Sequence, residues 1–231
     1  MGCYVDLLQS VPPADRDVAA RVSEKTPEVV RVAKQFGREY FDGERRYGYG
    51  GYGYDGRWIG VARDAESRYC SSGEWSTMGS GKRVLDVGCA KGFLVSDLQD
   101  RFVKDLGHEV YGVDVSRYAV VERPHPPAVG RLHLGSADDL PFPDGSFDLV
   151  LSINTLHNLP RERLIRALRE IRRVTRPGGG MFVQVDSYRN SWERALFEAW
   201  VLTAETHGTP EFWLDLFDEA GYDGDYCWTL V

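Results

Sequence analysis

Asp86 heads the run Asp86-Val-Gly88-Cys89-Ala90-Lys-Gly92, a carboxylate followed by small residues that let a backbone come close to a bound molecule. Two ligand classes use such a turn. A dinucleotide rests its pyrophosphate on the N-terminus of the following helix, where a carboxylate just before the glycines would repel it. A ligand carrying an ammonium and a sulfonium attracts the same carboxylate, and S-adenosylmethionine (SAM) fits that description. Asp114 stands 22 residues beyond Gly92, where a carboxylate can accept hydrogen bonds from both hydroxyls of a ribose. Further on, Gly135-Ser136-Ala137-Asp138 offers a side-chain acceptor for an adenine amino group. His157, in Asn154-Thr-Leu-His157-Asn-Leu-Pro160, has an ordinary pKa near 6.5 that suits a general base. Asp186, Tyr188 and His207 stand behind it as alternatives.

Each of these residues also has a plainer use. Asp86 and its glycines can shape a tight turn, and Asp114 can serve a helix N-terminus. Asp138, beside Asp139, can be a solvated turn carboxylate, and His157 can cap the helix that starts near Pro160. Asp186 and Tyr188 can be turn residues, and Glu205 and His207 can face a pocket or solvent. Cys89 is expected to contribute its backbone, since no partner base is placed beside it to activate a thiol.

The elements that must carry these residues alternate. Arg83–Val87 is a short apolar run before the glycine loop, and the stripe Phe93, Leu94, Leu98, Phe102 and Leu106 marks a helix over 92–106 as core. Glu109–Asp114, Arg131–Leu134 and Phe147–Ile153 read as further strands, each bounded by turn residues. Leu164, Ile165, Leu168 and Ile171 lie at helical spacing over Arg161–Val174. Arg176-Pro-Gly-Gly-Gly180 ends that helix, and Met181–Val185 is a fifth strand. The arginines of the 161–174 helix are expected to form a solvated face. Helices over Trp192–Thr206 and Pro210–Ala220 and a last strand, Tyr226–Leu230, complete the tail. Alternation of this kind predicts a mostly parallel sheet covered on both faces, with ligands beyond the carboxyl ends of its strands.

Before residue 81 the texture differs. A polar start leads to a helical stretch over about Thr26–Phe41 and then to the Gly/Tyr tract Tyr47–Gly56. Gly48-Tyr-Gly50-Gly51-Tyr-Gly53 spells a glycine fingerprint, yet no apolar strand precedes it and no helix pattern is read after it. Its tyrosines, Tyr47, Tyr49, Tyr52 and Tyr54, with Tyr40 and Trp58, suit an aromatic lid that excludes water from a site; a disordered linker is the plain alternative.

The 231 residues are 42% apolar and 27% charged, an ordinary globular mixture that calls for no metal or disulfide staple. Net charge -7 opposes non-specific phosphate binding and speaks against nucleic acid. Cys3, Cys70, Cys89 and Cys227 form no CxxC pair, so metal and disulfide frameworks lack spacing support and reduced thiols are expected. No leader-like run and no membrane-length apolar stretch occurs, which fits a cytoplasmic protein. A homodimer is left open.

VLDVGCAKG, GVDVS, GSADDLPFPDGSFDLVLSINTLHNL and RPGGG together resemble the class I SAM-dependent methyltransferase family over about residues 82–186. The resemblance implies an α/β, Rossmann-like doubly wound sheet over 81–231, with 1–80 as an N-terminal helical and aromatic cap. It implies that Asp86, Gly88 and Gly92 hold the methionine end of SAM, Asp114 the ribose and Asp138 the adenine. Cys89, Ala90, Val115, Ser136, Ala137 and Asn154 flank these positions and join the expected cofactor set. Two features depart from the family pattern. Ala90 stands where glycine is commonest, and one strand rather than an antiparallel pair follows the fifth. RRYGYGGYGYDGRW, SINTLHNLP and AWVLTAET resemble a bacterial subgroup of sugar-nucleotide, surface-polysaccharide or natural-product pathways. The implied activity is O- or N-methylation of a small metabolite. The alternatives are methylation of a protein or peptide, a catalytically silent SAM-binding regulator, or an NAD-dependent oxidoreductase, the last disfavoured by Asp86.

Overall fold

Six strands form one sheet in the order β3-β2-β1-β4-β5-β6, and every neighbouring pair is parallel. The structure, a computed structural model, describes residues 2–12, 16–70, 81–106, 108–122 and 131–230, with backbone only over 102–106. The strands are β1 (Arg83–Val87), β2 (Glu109–Asp114), β3 (Arg131–Leu134), β4 (Phe147–Ile153), β5 (Thr175–Ser187) and β6 (Asp225–Leu230). The helices are α1 (Val18–Glu24), α2 (Pro27–Ala33), α3 (Arg38–Asp42), α4 (Trp58–Tyr69), α5 (Phe93–Leu106), α6 (Arg161–Val174), α7 (Ser191–Trp200) and α8 (Pro210–Ala220). No helix among the described residues is long and apolar enough to cross a membrane.

β1 and β4 are buried along nearly their whole length, as strands covered on both faces must be. On one face, α6 and α8 put Leu164, Leu168, Ile171, Trp213 and Phe217 against Leu85, Val150 and Val183. On the other, Val61, Ala62 and Ala65 of α4 and Leu94 and Leu98 of α5 meet Val84, Leu149 and Phe182. The chain steps outward from β1 to β2 and β3 on one side, and from β4 to β5 and β6 on the other. The crevice between the loops after β1 and β4 is therefore the topological switch point where ligands sit.

Several sequence expectations are corrected. The stretch read as one helix over Thr26–Phe41 is two, because Phe36 turns to φ +48° and Gly37 starts a new N-terminus. A helix does follow the Gly/Tyr tract. Trp58, Val61, Ala62, Ala65 and Tyr69 carry its apolar spacing, and short side chains at three of those positions weakened the signal. Asp17 caps α1, a further helix in the polar start. β5 starts at Thr175, with Arg176–Gly179 bulging between the pairs Phe147↔Thr175 and Leu149↔Gly180. α7 ends at Trp200, so Glu205 and His207 lie in the loop after it rather than on a helix end. The side chains of Phe102 and Leu106 lie outside the described residues.

β6 lies parallel to β5, and Tyr4 makes a parallel bridge to Tyr226 on its outer edge. Val5 donates its amide to the Tyr226 carbonyl at 2.9 Å, and Tyr226 donates to Cys3 at 3.1 Å. The edge that one missing strand would leave open is thus partly covered by the N-terminal residues.

Candidate active site

The glycine loop leaves β1 through Asp86, whose residue is only 4% exposed. Among the described residues no donor reaches its carboxylate, and burial, helped by the nearby Asp114 charge, pushes its pKa up to about 7. A buried carboxylate without a partner is costly. This one sits at the switch point and fits a cationic ligand group. Gly88 follows at φ +84°, and a Cβ there would stand 1.9 Å from Thr155 Oγ1, so only glycine lets the loops after β1 and β4 meet.

Ala90 occupies the same left-handed region at φ +48°. Its amide donates to Asp114 Oδ2 at 2.8 Å, which helps to hold the strained turn. Left-handed backbone costs an L-residue about 1–2 kcal/mol, and glycine returns part of that gain as unfolded-state entropy. Ala90→Gly should therefore raise stability by about 0.5–1 kcal/mol, measured by urea unfolding; a destabilised variant would show that the turn is unstrained.

Asp114, at the end of β2, also accepts the Ser116 amide on Oδ1 at 2.7 Å. A carboxylate has about four acceptor positions, so two remain unused by the described residues. Burial raises the Asp114 pKa, and the two amides oppose the shift. Val115 beside it is 58% exposed, an apolar side chain left open at the mouth of the site.

Asp138 differs. Its Oδ1 accepts from Ser136 Oγ at 2.5 Å and Arg163 Nη2 at 2.8 Å. Its Oδ2 accepts from Arg163 Nε at 2.9 Å and Arg166 Nη2 at 3.0 Å. All four positions are taken, and the Arg163 contact holds the pKa well below the usual carboxylate range. An adenine contact from this side chain, expected from the sequence, has no acceptor left to use. The arginines of α6 that the sequence suggested as a solvated face include this pair and Arg161, Arg172 and Arg173, which bind Glu219, Asp223 and Asp144 with Glu170.

His157 lies in a short 3-10 turn after β4 and is 4% exposed. The Asp186 amide donates to its Nδ1 at 3.4 Å, which leaves the proton on Nε2, 3.9 Å from Asp186 Oδ2. Burial lowers its pKa, so the ring is neutral. Tyr188 and His207 pair with each other, hydroxyl to Nδ1 at 3.1 Å, and pack against Phe197 of α7. Asn154, at φ +54°, donates its amide to Gln184 Oε1 at 2.7 Å and leaves its side chain exposed.

The aromatic segment covers these strand ends. Tyr49 meets Tyr52 at a tilt, ring centroids 4.5 Å apart, and Tyr40 edge-on at 5.2 Å, while Tyr52 and Tyr54 rest on Phe93, the first residue of α5. Tyr49 is 43% exposed. Its hydroxyl is nonetheless raised in pKa by burial and by the charges of Asp114 and Asp186. Tyr52 is raised well above its ordinary value by burial, then by Tyr49 and Asp86, against the lowering effect of its hydrogen bond with Trp58 and of Arg57. Tyr47 instead packs on Val29, Ala33 and Leu202 in a small separate core. Sequence reasoning missed Asp42 and Lys91 as partners. Lys91 Nζ donates to Asp42 Oδ1 and Oδ2 at 2.6 and 2.7 Å, a pairing across 49 residues that no local pattern announces.

A cavity of about 550 Å³ lies at the opposite end of β5 and β6, lined by Tyr69, Arg172, Arg176, Gly178, Asp223 and neighbours. It is remote from Asp86 and Asp114, and the switch-point geometry makes the crevice under the tyrosines the better candidate.

Known proteins resemble this chain over the strands that carry these residues. Residues 85–183 match the methyltransferase domain model Methyltransf_11. A fatty-acid O-methyltransferase of Mycolicibacterium smegmatis is 37% identical over 127 residues, covering 52% of this chain and 43% of that protein. The chain thus spans less than half the length of that relative. An uncharacterized methyltransferase of Synechocystis is 31% identical over 163 residues, covering 62% of this chain and 67% of that protein. A SAM-dependent methyltransferase structure from Archaeoglobus fulgidus shares the fold, with TM-score 0.52, 17% identity, and coverage of 70% and 67% of the two chains. The parallel sheet, the carboxylate-led glycine loop and these relatives agree: the chain belongs to the class I SAM-dependent methyltransferase family.

Proposed function

We propose that the protein transfers a methyl group to an oxygen or nitrogen of a small metabolite, a sugar, sugar nucleotide or natural-product intermediate being the class favoured by its sequence. The observation that carries this reading is Asp86, a buried carboxylate at the head of the glycine loop that meets no donor among the described residues. When bound, SAM supplies an electrophilic methyl group on a sulfonium. Asp86 attracts the cationic end of the donor, Asp114 takes the ribose hydroxyls, and Val115 with the backbone of Ser136–Asp138 receives the adenine. Tyr40, Tyr49 and Tyr52 exclude water and present ring faces to positive charge. Alignment supplies most of the rate, since orientation can remove as much as ~7–11 kcal/mol of barrier.

The acceptor's proton needs a base. His157 is neutral, but its free lone pair faces the Asp186 amide. Asp186 is the better acceptor of that proton, because its charge reaches the Tyr49 hydroxyl in the crevice. His157 then positions Asp186 from behind, and Tyr188 and His207 support the wall. Three carboxylates, Asp86, Asp114 and Asp186, converge here. Neutral hydroxyls and amines suit that field better than the anionic acid named for the fatty-acid relative, and a sugar nucleotide would have to keep its diphosphate outside it.

Calorimetric titration with S-adenosylhomocysteine, with NADH in parallel, tests the reading. Micromolar binding of the former alone supports it; tight NADH binding without the other would overturn it. Asp114→Ala should weaken S-adenosylhomocysteine by about 1.5–3 kcal/mol through lost hydrogen bonds to a charged group. Unchanged affinity would remove Asp114 from the ribose.

A further inference from the structure

Lys91 is the least expected member of the glycine loop. It is 3% exposed, sits between strained Ala90 and Gly92, and turns its charge away from the strand ends toward the cap. There it meets both oxygens of Asp42 and the Tyr52 carbonyl, the last at 2.8 Å. Asp42 is claimed from two further directions, by the Tyr118 hydroxyl at 2.6 Å and the Tyr52 amide at 3.1 Å. One ion pair therefore joins three parts: the loop after β1, the turn after β2 that holds Tyr118, and the aromatic segment. Two outer contacts reinforce it. Tyr54 donates to Asp97 of α5 at 2.6 Å, and Ser116, two residues past Asp114, donates its hydroxyl to the Phe36 carbonyl at 2.5 Å.

We propose that Lys91 is a positioning residue that links donor binding to closure of the aromatic segment. The inference rests on the reading that the Asp86–Gly92 loop holds the methyl donor. Ala90 and Lys91 are adjacent, so their anchors act on one short backbone. The Ala90 amide is fixed to Asp114 at the ribose end, and the Lys91 ammonium is fixed to Asp42 and Tyr52 in the cap. A bound donor that steadies the loop also steadies the lysine, which keeps Tyr52 and its neighbours down. By reciprocity, a closed segment strengthens donor binding by the same factor. The ion pair suits this task because it is buried: without Asp42 the lysine charge has no described carboxylate to meet, so the segment cannot lift without exposing or stranding it.

The tyrosines provide the readout, since chymotrypsin cleaves after them. In the wild-type protein, saturating S-adenosylhomocysteine should slow cleavage after Tyr47, Tyr49, Tyr52 and Tyr54 by about tenfold or more. In Lys91→Met, which removes the buried charge and keeps the side-chain bulk, protection at saturation should fall below about twofold and the Kd should rise about tenfold. Tyr118→Phe keeps the ion pair and removes one hydrogen bond to Asp42, so it should show the same trend at about threefold; it serves as the test if Lys91→Met fails to fold. Wild-type protein that binds the ligand without protecting the tyrosines overturns the linkage. So does full ligand-dependent protection in folded Lys91→Met, or in Tyr118→Phe where that variant is the test. Failure of the wild-type protein to bind the ligand at all would instead overturn the reading of the cofactor loop.

Discussion

Asp86→Asn should nearly abolish S-adenosylhomocysteine binding while making the ligand-free protein more stable at pH 8. Both effects come from one buried charge. The carboxylate has a folded-state pKa of about 7 and an ordinary value of 3.8, with burial the main cause and the Asp114 charge second. The folded state therefore holds a proton that the unfolded state has released between these two values. Stability falls as pH rises through that window, and the loss is complete above about 7. The cost in the wild type is at most about 4 kcal/mol, and an uncharged amide avoids it. The variant should melt higher than the wild type at pH 8 and match it near pH 4. Binding moves the other way. The ammonium group of the ligand favours the ionised carboxylate, so wild-type affinity should rise with pH up to about 7 and then level, with proton release on binding at pH 6. Loss of the charge should weaken binding by about a hundredfold. Equal affinity in Asp86→Asn, measured by calorimetry at pH 8, would remove Asp86 from the donor site.

Asp186→Asn should lower kcat by about 10²–10⁴-fold, the usual contribution of a positioned base, with the Kd for S-adenosylhomocysteine unchanged. The contrast with His157→Ala is informative. If the histidine acts through Asp186, its removal should cost about tenfold in kcat and spare donor affinity. Burial lowers the His157 pKa, so the wild-type rate should show no limb at the ordinary histidine value as pH crosses 6.5. Full kcat in Asp186→Asn, with a clear loss in His157→Ala and a limb near 6.5, would restore the histidine as the base. The comparison requires an identified acceptor, and mass measurement of products from a hydroxyl and amine panel supplies it.

The strands and their ligand loops were legible in the sequence because each is a local pattern. β1 to β4 follow the apolar runs to the residue, and Asp86, Gly88 and Asp114 stand at strand ends because strand and turn signals are adjacent there. α4 was illegible because its core positions include two alanines and its start follows directly on glycines and tyrosines. The break at Phe36 was hidden for a similar reason: a single residue at positive φ leaves no periodicity to read.

Asp138 and Asp114 show where sequence reasoning stops. Both are carboxylates at or just past a strand end, and both suit a nucleoside ligand by position. The neighbours differ. Asp138 meets two arginines from a helix 25 residues on, whereas Asp114 meets two amides of its own and the adjoining loop. Hydrogen-bond capacity is spent by whatever folding brings close, and sequence distance does not report it.

Residue types and spacing by themselves determined the alternating α/β order, the family, and the carboxylate-led loop that favours a cationic ligand over a pyrophosphate. Tertiary structure alone decided that Asp86 meets no donor among the described residues, that His157 turns its lone pair to the Asp186 amide, and that Lys91 reaches Asp42 in the N-terminal segment. The physical reason is range. Apolar periodicity and turn chemistry act over a few residues and are written in order along the chain. Burial, ion pairing and acceptor saturation depend on groups that meet only after the sheet forms and the N-terminal segment packs against it.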